Sequence, residues 1–305
     1  MSEAPRDVRE LAERRADARA AKDFARADAL REAIAEAGWA VVDEPGGWSL
    51  VPAATTATEA QPLRARDVPS VLGEPATADI SLHWVCEGWP EDIVRAVASF
   101  RAHEGGRDTR YVVADVTGAD PGAFGDDVEV LTLEPGTGWA AARNAGLRRT
   151  AGRLALVLDG SIEATGDVCS PLEDALADPA VGIAGPFGII THDLREFEEA
   201  PGPGEADAVE GYAIAMRREL LTEVGMFDEK FRWYRTADIE YSFRVKDAGL
   251  RTVVAPVPVI KHEHRMWFET DPASRAKWSK RNYYRFLDRW RDRWDLVLDP
   301  RPPTN

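Results

Sequence analysis

The sequence has only two cysteines, Cys86 and Cys169, among its 305 residues. Two cysteines cannot build a disulfide framework, and these two lack the close spacing of zinc ligands. The chain also lacks any run that approaches the ~20 apolar residues needed to span a bilayer. Its first residues, MSEAPRDVRE, have no apolar stretch typical of a signal peptide. We therefore expect a soluble, cytoplasmic protein.

Positive charge is scarce as well. The chain has 38 Lys and Arg against 53 Asp and Glu, and its formal net charge is −15. A surface of this sign repels polyanions, so a nucleic acid is an unexpected partner. Residues 274–294 are the exception, because they combine eight Arg or Lys with two Asp.

The composition changes along the chain and divides it into four predicted segments. Residues 1–52 alternate Ala, Arg and acids, a pattern that predicts a helical hairpin. Residues 53–78 have no periodicity and suit a linker. The predicted main domain covers residues 79–272, and a basic, aromatic helix with a tail covers residues 273–305.

Strands alternate with helices in the main domain. Apolar runs predict strands at Ile80–Cys86, Tyr111–Ala114, Val128–Leu133 and Leu154–Leu158, and Pro90 suits the first turn of an intervening helix. This alternation predicts an α/β fold with a mostly parallel sheet flanked by helices.

Acids follow two of these predicted strands, Asp115 after the second and Asp159 after the fourth. The carboxyl ends of parallel strands form the edge at which open α/β folds bind ligands, so both carboxylates are candidate ligand contacts. An Asp directly after a strand is also a common turn former, and that structural role is the alternative for both residues.

The segment around Asp159 resembles the middle of the family 2 glycosyltransferases. Arg143 and Asn144 match the family's Ala-Arg-Asn-x-Gly helix, Asp159 matches the first acid of its Asp-x-Asp metal site, and Ser161 replaces the second acid. The resemblance covers roughly residues 79–285 and implies a GT-A type fold. It also implies a nucleotide-sugar donor, bound by Asp115, Arg143, Asn144, Asp159 and Ser161.

A second block of motifs resembles the family's acceptor side. The stretch Gly225 to Glu229 resembles its Gly-x-Phe-Asp-Glu turn, and Asp238 falls on the Asp that usually serves as catalytic base in inverting members. A carboxylate there would take the proton from the acceptor hydroxyl, and Glu240 is the alternative base. Asp238 also suits the N-cap of a helix that ends at Gly249, which is the structural alternative.

The same resemblance implies a divalent cation, Mn²⁺ or Mg²⁺, at the donor diphosphate. These hard cations keep waters and take ligands from phosphates, so one protein carboxylate can suffice. The family often places a metal-binding His at the position of His262, which with Asp159 makes up the implied metal site. A structural role for a lone His is the alternative.

The N-terminal segment carries a second resemblance. Lys22-Asp23-Phe24 and Leu30-Arg31 resemble the small C-terminal helical domain of cysteinyl-tRNA synthetases, and Asp23 suits the N-cap of the second predicted helix, with Gly38 at its end. No synthetase catalytic motif accompanies them. We expect a hairpin used for docking or self-association, with retained tRNA contact as the alternative.

The C-terminal segment has Phe286, Trp290 and Trp294 at every fourth position, which predicts a helix with one aromatic stripe and basic flanks. Residues 275–294 could make peripheral contact with an anionic membrane surface, or the stripe could pack on its own domain. Alternatively, Lys280 and Arg281 could meet the donor diphosphate.

Taken together, the motifs predict an inverting, hexosyltransferase-type enzyme with a nucleotide-sugar donor. Its acceptor would be an unknown glycan or small molecule, as in the synthesis of cell-envelope polysaccharide, and residues 191–212 resemble an acceptor-side insertion. We expect it in the cytoplasm, with peripheral contact to the inner face of the membrane as a further option. Two alternatives are a non-catalytic nucleotide- or sugar-binding protein on the same scaffold and an RNA-associated adaptor built around the N-terminal hairpin.

Overall fold

The computed structural model describes residues 4–20, 23–44, 47–52 and 61–301. The chain divides into two compact units, residues 1–61 and 62–305. Within the described ranges, no helix is long and apolar enough to cross a membrane.

The smaller unit is a helical hairpin followed by a β-hairpin. Its elements are α1 (Arg6–Ala20), α2 (Phe24–Glu36), β1 (Trp39–Glu44) and β2 (Gly47–Pro52). Asp23 caps α2 by accepting a hydrogen bond from the Arg26 amide at 3.1 Å, and Gly38 follows the helix with a φ of +79°, as the sequence predicts. The sequence does not predict β2, which pairs antiparallel with β1.

The predicted linker differs from the structure in its second half. Residues 53–60 lie outside the described residues, as do Lys22 and residues 302–305. In residues 61–78, the Leu63 amide donates to the Thr132 carbonyl at 2.9 Å, and Ala65 and Val68 are buried. Residues 62–78 are therefore part of the larger unit. The sequence does not predict this, because the apolar residues that anchor the stretch have no periodicity.

The larger unit is an α/β structure. Its strands are β3 (Ala78–Cys86), β4 (Thr109–Asp115), β5 (Val128–Thr132), β6 (Gly152–Leu158), β7 (Ile162–Ala164), β8 (Val181–Gly185), β9 (Gly188–Thr191), β10 (Phe197–Glu199), β11 (Gly204–Glu205), β12 (Ala208–Val209), β13 (Ala213–Arg217), β14 (Arg251–Val254) and β15 (Val259–Lys261). Its helices are α3 (Pro90–Arg101), α4 (Trp139–Leu147), α5 (Cys169–Leu176), α6 (Leu220–Glu223), α7 (Ala237–Asp247), α8 (Arg265–Glu269) and α9 (Pro272–Trp290).

The main sheet brings the candidate acids to one edge. Among the described residues it has eight strands in the order β11-β14-β8-β13-β6-β3-β4-β5, and the run from β6 to β5 is parallel. Parallel strands end at the same edge, so Glu87, Asp115 and Asp159, which end or follow β3, β4 and β6, come together there. Helices α3 and α4 contribute to separate apolar clusters that cover the sheet.

Helix α7 begins differently from the prediction. Thr236 is its N-cap and has a left-handed backbone with φ +72°, and Asp238 is the second residue inside the helix. The predicted N-cap role of Asp238 is therefore wrong. The predicted end near Gly249 is confirmed, because the helix stops at Asp247 and Gly249 takes a φ of +81°.

The aromatic stripe of the C-terminal helix packs inward. Phe286 and Trp290 on α9 are buried, and their rings lie 5.1 and 6.0 Å from that of Phe243 on α7. This is the packing alternative, and it removes the stripe from any contact with a membrane. A membrane contact would have to use a different face of the same helix.

Candidate functional site

Asp159 lies at the carboxyl end of β6, and its two oxygens have different environments. Oδ1 accepts hydrogen bonds from the Ser161 amide at 2.9 Å and from the Ser161 hydroxyl at 2.6 Å. Oδ2 lies 3.3 Å from Nε2 of His264. Ser161, which replaces the family's second acid, thus orients the first acid and leaves its other oxygen facing His264.

His264 is held in place by two tyrosine rings. Its imidazole lies edge-on to Tyr212 at 5.5 Å and to Tyr234 at 4.5 Å, measured between ring centroids. Its buried Nδ1 has no hydrogen-bond partner among the described residues. Burial alone would raise the pKa of Asp159, but the hydrogen bond and charge of His264, with the charge of Arg143, hold that pKa well below its usual range.

The predicted metal ligand His262 is placed elsewhere. Its Nε2 pairs with Glu163 at 2.7 Å instead of with Asp159. Strand β15 ends at Lys261, so both histidines lie beyond it, and the path of the chain after the strand decides which of them reaches Asp159. His264 takes the position that the sequence gives to His262.

Glu87 is an acid that the sequence reasoning missed. It follows β3 and lines a small cavity of 40 Å³ together with Asp159 and Trp89. Burial raises its pKa to about 8, the Arg143 charge opposes that shift, and the Asp159 charge adds to it. The signal was available, because Glu87 follows a predicted strand just as Asp159 does.

Arg143 and Asn144, predicted to contact the donor, support the site from below. Arg143 is buried, and its guanidinium donates to the carbonyls of His83 at 3.3 Å and Leu158 at 2.5 Å. It therefore ties the ends of β3 and β6 together and places a positive charge beneath Asp159. Its hydrogen-bond partners are backbone carbonyls, and its predicted contact with a donor stays a prediction.

Asn144 holds the Gly-x-Phe-Asp-Glu turn. Its amide nitrogen donates to the Phe227 carbonyl at 2.8 Å, and its oxygen accepts from the Phe227 amide at 3.0 Å. The same nitrogen lies 3.3 Å from Glu229. Both polar ends are thus engaged within the protein, and the predicted donor contact stays a prediction.

Asp115 is likewise occupied by its own loop. Oδ1 accepts from the Thr117 amide at 2.9 Å and the Thr117 hydroxyl at 2.6 Å, and Oδ2 accepts from the Ala119 amide at 2.8 Å. Its side chain is fully buried. The turn-forming alternative therefore describes this residue, and its carboxylate offers no exposed oxygen to a donor.

Asp238 faces a large pocket of 560 Å³ that Asp159 and His264 also line. Its Oδ2 accepts from the Gly211 amide at 2.8 Å and its Oδ1 from the Ile239 amide at 2.9 Å. Burial raises the pKa of Asp238 despite these two bonds. Gly211 is needed because a Cβ there would lie 3.3 Å from the Asp238 Cβ.

Glu240, the predicted alternative base, is paired with two arginines. Its Oε2 accepts from Arg244 at 3.0 Å and its Oε1 from Arg289 at 3.1 Å. The side chain is only 3% exposed and is not among the residues that line the pocket of Asp238. These ion pairs are a structural role for Glu240, and its use as an alternative base stays a prediction.

Asn282 on α9 is a second residue that the sequence reasoning missed. It is buried, and its amide nitrogen donates to the carbonyls of Trp233 and Arg235, both at 2.8 Å. These carbonyls come directly before the left-handed Thr236 and Asp238. No local pattern signals this contact, because donor and acceptors are far apart in the sequence.

The Asp159–His264 pair fits a divalent cation in part. Among the described residues, no group of three or more His, Cys, Asp or Glu is placed to hold a metal. A carboxylate oxygen and an imidazole nitrogen nevertheless face each other at 3.3 Å. Mn²⁺ and Mg²⁺ accept such a partial set when phosphates and waters complete the coordination.

Comparison with known proteins identifies the region that contains this site. The family model of glycosyl transferase family 2 matches residues 107–243, which include Asp115, Asp159 and Asp238. Residues 107–243 are therefore similar to a glycosyl transferase family 2 domain. The match confirms the resemblance stated from the Arg143-Asn144 helix and the strand that ends at Asp159.

Two curated relatives are similar to parts of the chain. The pre-mycofactocin glycosyltransferase of Mycobacterium tuberculosis is 25% identical over 182 residues, which is 52% of this chain and 38% of that protein. The cysteine–tRNA ligase of Opitutus terrae is 56% identical over 52 residues, 17% of this chain and 11% of the ligase. The chain thus spans well under half the length of either relative, and the second match confirms the N-terminal resemblance.

A solved structure is similar to the family 2 domain and its surroundings. The crystal structure of GalNAc-T7 with UDP, GalNAc and Mn²⁺ superposes with a TM-score of 0.57 and 16% sequence identity, covering 72% of this chain and 50% of the other. At this identity the likeness concerns the fold, and it confirms the predicted GT-A type architecture.

Proposed function

We propose that this protein is an inverting glycosyltransferase that moves a sugar from a nucleoside diphosphate to an acceptor hydroxyl. One observation carries the proposal: Asp238 and the Asp159–His264 pair line the same 560 Å³ pocket. A site for a proton acceptor and a site for a diphosphate thus share one cavity, as a displacement at the anomeric carbon requires.

The donor side of the pocket is assigned to Asp159 and His264. A divalent cation held there would neutralise the negative charge that develops on the leaving diphosphate. Ser161 keeps Oδ1 of Asp159 occupied, so Oδ2 and Nε2 of His264 are the atoms left to hold the cation. Arg143 stabilises the ionised form of Asp159 from below.

The acceptor side is assigned to Asp238. Backbone amides of Gly211 and Ile239 fix the orientation of its carboxylate, and each oxygen retains a lone pair for a hydroxyl proton. Burial raises the pKa of Asp238, which makes the carboxylate a stronger base. With Glu240 paired to arginines, Asp238 is the base we propose.

A glycan or a small molecule with sugar-like hydroxyls is the acceptor class we propose. Aromatic rings of Tyr212, Tyr234 and Tyr283 line the pocket together with the carboxylates of Glu198 and Glu210. Aromatic faces can stack on the apolar face of a sugar ring, and carboxylates accept hydrogen bonds from its hydroxyls.

A thermal-shift panel of UDP-, GDP- and dTDP-sugars, each with Mn²⁺ and with a chelator, tests the donor assignment. A ligand that binds the native state raises its stability by RT ln(1 + [L]/Kd). We expect one nucleotide class to stabilise the protein with Mn²⁺ and to lose most of that effect with the chelator. No shift with any sugar nucleotide would contradict the proposal.

A non-catalytic nucleotide-sugar binding protein is the second candidate. The sequence predicts that Asp115, Asn144 and Arg143 contact the donor, but these side chains make hydrogen bonds within the protein, which favours this candidate. Release of free nucleoside diphosphate from the stabilising donor, with an acceptor or slowly with water, distinguishes the enzyme from the binding protein. The RNA-associated adaptor stays a proposal for the N-terminal hairpin, and tRNA binding at increasing salt tests it, since phosphate contacts weaken steeply with salt.

A further inference from the structure

The outward face of α9 has a composition unlike the rest of the protein. Asn282, Phe286 and Trp290 are buried on one side of this helix. At about 100° per residue, Lys277, Lys280, Arg281 and Tyr284 lie on the opposite side of its first turns, and Trp278 lies on the flank, where its ring also contacts Trp233. We call these five residues the basic face.

The cations of the basic face are not neutralised. Among the described residues, Lys277 and Arg281 have no ion pair or hydrogen bond, and Lys280 contacts only the ring of Tyr284, with 5.9 Å from Nζ to the centroid. No acid belongs to the face; the next outward acid, Asp288, lies about one turn beyond Tyr284 and pairs with Arg291. In a chain with net charge −15, three such cations in one place are an exception.

Large aromatic side chains are exposed beside these cations. Trp278 is 38% exposed and Tyr284 is 54% exposed, and Phe268 on the preceding helix α8 is 59% exposed. Exposed Trp and Tyr next to Lys and Arg are the composition that binds the headgroup region of a bilayer, where the rings enter the interface and the cations meet phosphates.

The basic face adjoins the mouth of the proposed acceptor pocket. Lys280 and Tyr284 line the 560 Å³ pocket that also contains Asp238. Phe268 lines a second cavity of 510 Å³, which shares Tyr212, Tyr234 and His264 with the first. Any partner that binds the basic face would therefore lie next to this pocket.

We propose that the basic face docks onto an anionic phospholipid bilayer, so that the acceptor reaches the pocket from the membrane surface. The docking follows from the charge and exposure of the face; the role of the membrane in delivering the acceptor rests on the proposed function. The aromatic stripe predicted for this role is buried, and the docking residues are those on the other side of the helix.

Co-sedimentation of the full chain with vesicles tests the docking. One set contains phosphatidylcholine alone, and the other contains about 30 mol% phosphatidylglycerol, which supplies the negative surface potential. We expect binding only to the anionic vesicles, weakening with added salt because exposed charges are screened. Each Lys or Arg near such a surface contributes about fivefold in affinity, so Lys277→Gln with Arg281→Gln should weaken binding about 25-fold.

A matched variant controls for net charge. Arg66→Gln with Arg153→Gln removes the same charge from side chains that are 69% and 72% exposed elsewhere on the unit, and it should leave vesicle binding unchanged. Trp278→Ala should weaken binding with the cations intact, because a polyelectrolyte contact alone would not need the ring.

Three results would overturn the proposal. They are equal sedimentation with both vesicle sets, equal losses in the two double variants, and a short single-stranded RNA that binds the face more tightly than anionic vesicles at the same salt. The assay contains no sugar nucleotide, so its outcome is independent of whether the protein transfers a sugar. Vesicle binding without transfer would leave the docking standing and remove the proposed function.

Discussion

Two turns at the carboxyl edge of the sheet have the same local chemistry and different uses. In both Asp115-Val-Thr117 and Asp159-Gly-Ser161, the aspartate Oδ1 accepts from an amide at 2.9 Å and a hydroxyl at 2.6 Å two residues later. They differ at Oδ2, which accepts from the Ala119 amide in the first turn and faces His264 in the second. The second oxygen decides whether such a turn can bind a ligand.

The comparison shows why a strand-terminal acid is an ambiguous signal. The hydroxyl at the third position stabilises the turn in both cases, so Ser161 in place of an acid is compatible with a site. What distinguishes Asp159 is a residue more than a hundred positions away that lies beside it. The variants below test whether this distinction has the chemical consequences that we assign to it.

Asp238 is a third case for this comparison. Each of its carboxylate oxygens accepts a hydrogen bond from a backbone amide, yet the residue lines the pocket. Asp238→Asn should cut transfer by roughly 10²–10⁴-fold, the usual contribution of a positioned base, because an amide cannot take up a proton. Donor affinity should stay within about twofold, since Asn keeps the size of the side chain. Steady-state transfer with the identified donor, compared with calorimetric donor binding, measures both.

The control for Asp238 is Glu240→Gln, in which the paired acid is replaced on the same helix. We expect it to lose stability with most transfer activity per folded molecule retained. Full transfer in Asp238→Asn would refute the base assignment.

Replacing the occupied carboxylate should cost stability. Asp115→Ala removes the acceptor for two backbone amides and one hydroxyl in a fully buried turn, and should lower the free energy of unfolding by about 3 kcal/mol. Asp159→Ala should cost about 1 kcal/mol, because its side chain retains some solvent contact and its removal leaves fewer amides without a partner. Urea denaturation of the two variants gives the difference, and equal losses would remove the structural distinction between the turns.

Nucleotide affinity should show the opposite order, with a larger loss when Asp159 is replaced than when Asp115 is replaced. Asp159→Asn should weaken Mn²⁺-dependent binding of the nucleotide by ~1–3 kcal/mol, the scale of a lost hydrogen bond to a charged group. Calorimetric titrations with Mn²⁺ and with a chelator, on wild type and variant, measure this effect. His264→Ala should resemble Asp159→Asn, and His262→Ala should resemble wild type. The same affinity in all of these titrations would contradict the site.

Glu87 is the third acid at the end of a strand, and the pH dependence of stability tests whether burial raises its pKa. Its pKa is raised from 4.5 to about 8, so the folded protein holds a proton that the unfolded chain releases. Stability from this group is fully present below pH 4.5 and is lost as the pH rises to about 8. The slope is at most about 1.4 kcal/mol per pH unit.

Glu87→Gln should remove that slope and make the variant relatively more stable toward pH 8, as measured by urea denaturation at several pH values. Glu104→Gln, which lies outside the site, controls for the loss of one carboxyl group. Parallel pH profiles for wild type and Glu87→Gln would show that Glu87 is ionised in the folded state.

Much of the fold is encoded locally and could be predicted. The apolar runs that end at Cys86, Asp115 and Leu158 and the helix that begins at Pro90 are short-range patterns, and the structure confirms them. The packing of residues 61–78 and the strand Gly47–Pro52 escaped prediction because neither has a distinct periodicity.

The candidate site was predictable only where a residue's role depends on its own strand or turn. Asp159 was found because an acid after a buried strand is a local signal. The contacts of Asn144 with Phe227 and of Glu240 with Arg289 could not be predicted, because these partners come from distant segments. The exchange of His262 for His264 had a different cause: both residues lie beyond the end of β15 at Lys261, where no strand periodicity indicates which side chain reaches Asp159.

The contact of Asn282 with the backbone before Asp238 affects the order in which the protein matures. A chain leaves the ribosome from its N-terminus, so the segment that holds Trp233 and Arg235 emerges well before Asn282 does. Until α9 arrives, no side chain from that helix stabilises the left-handed Thr236, a conformation that costs about 1–2 kcal/mol. The nascent protein can therefore assemble its sheet early but acquires an ordered Asp238 late, so that the proposed catalytic base is positioned only after the sheet has folded.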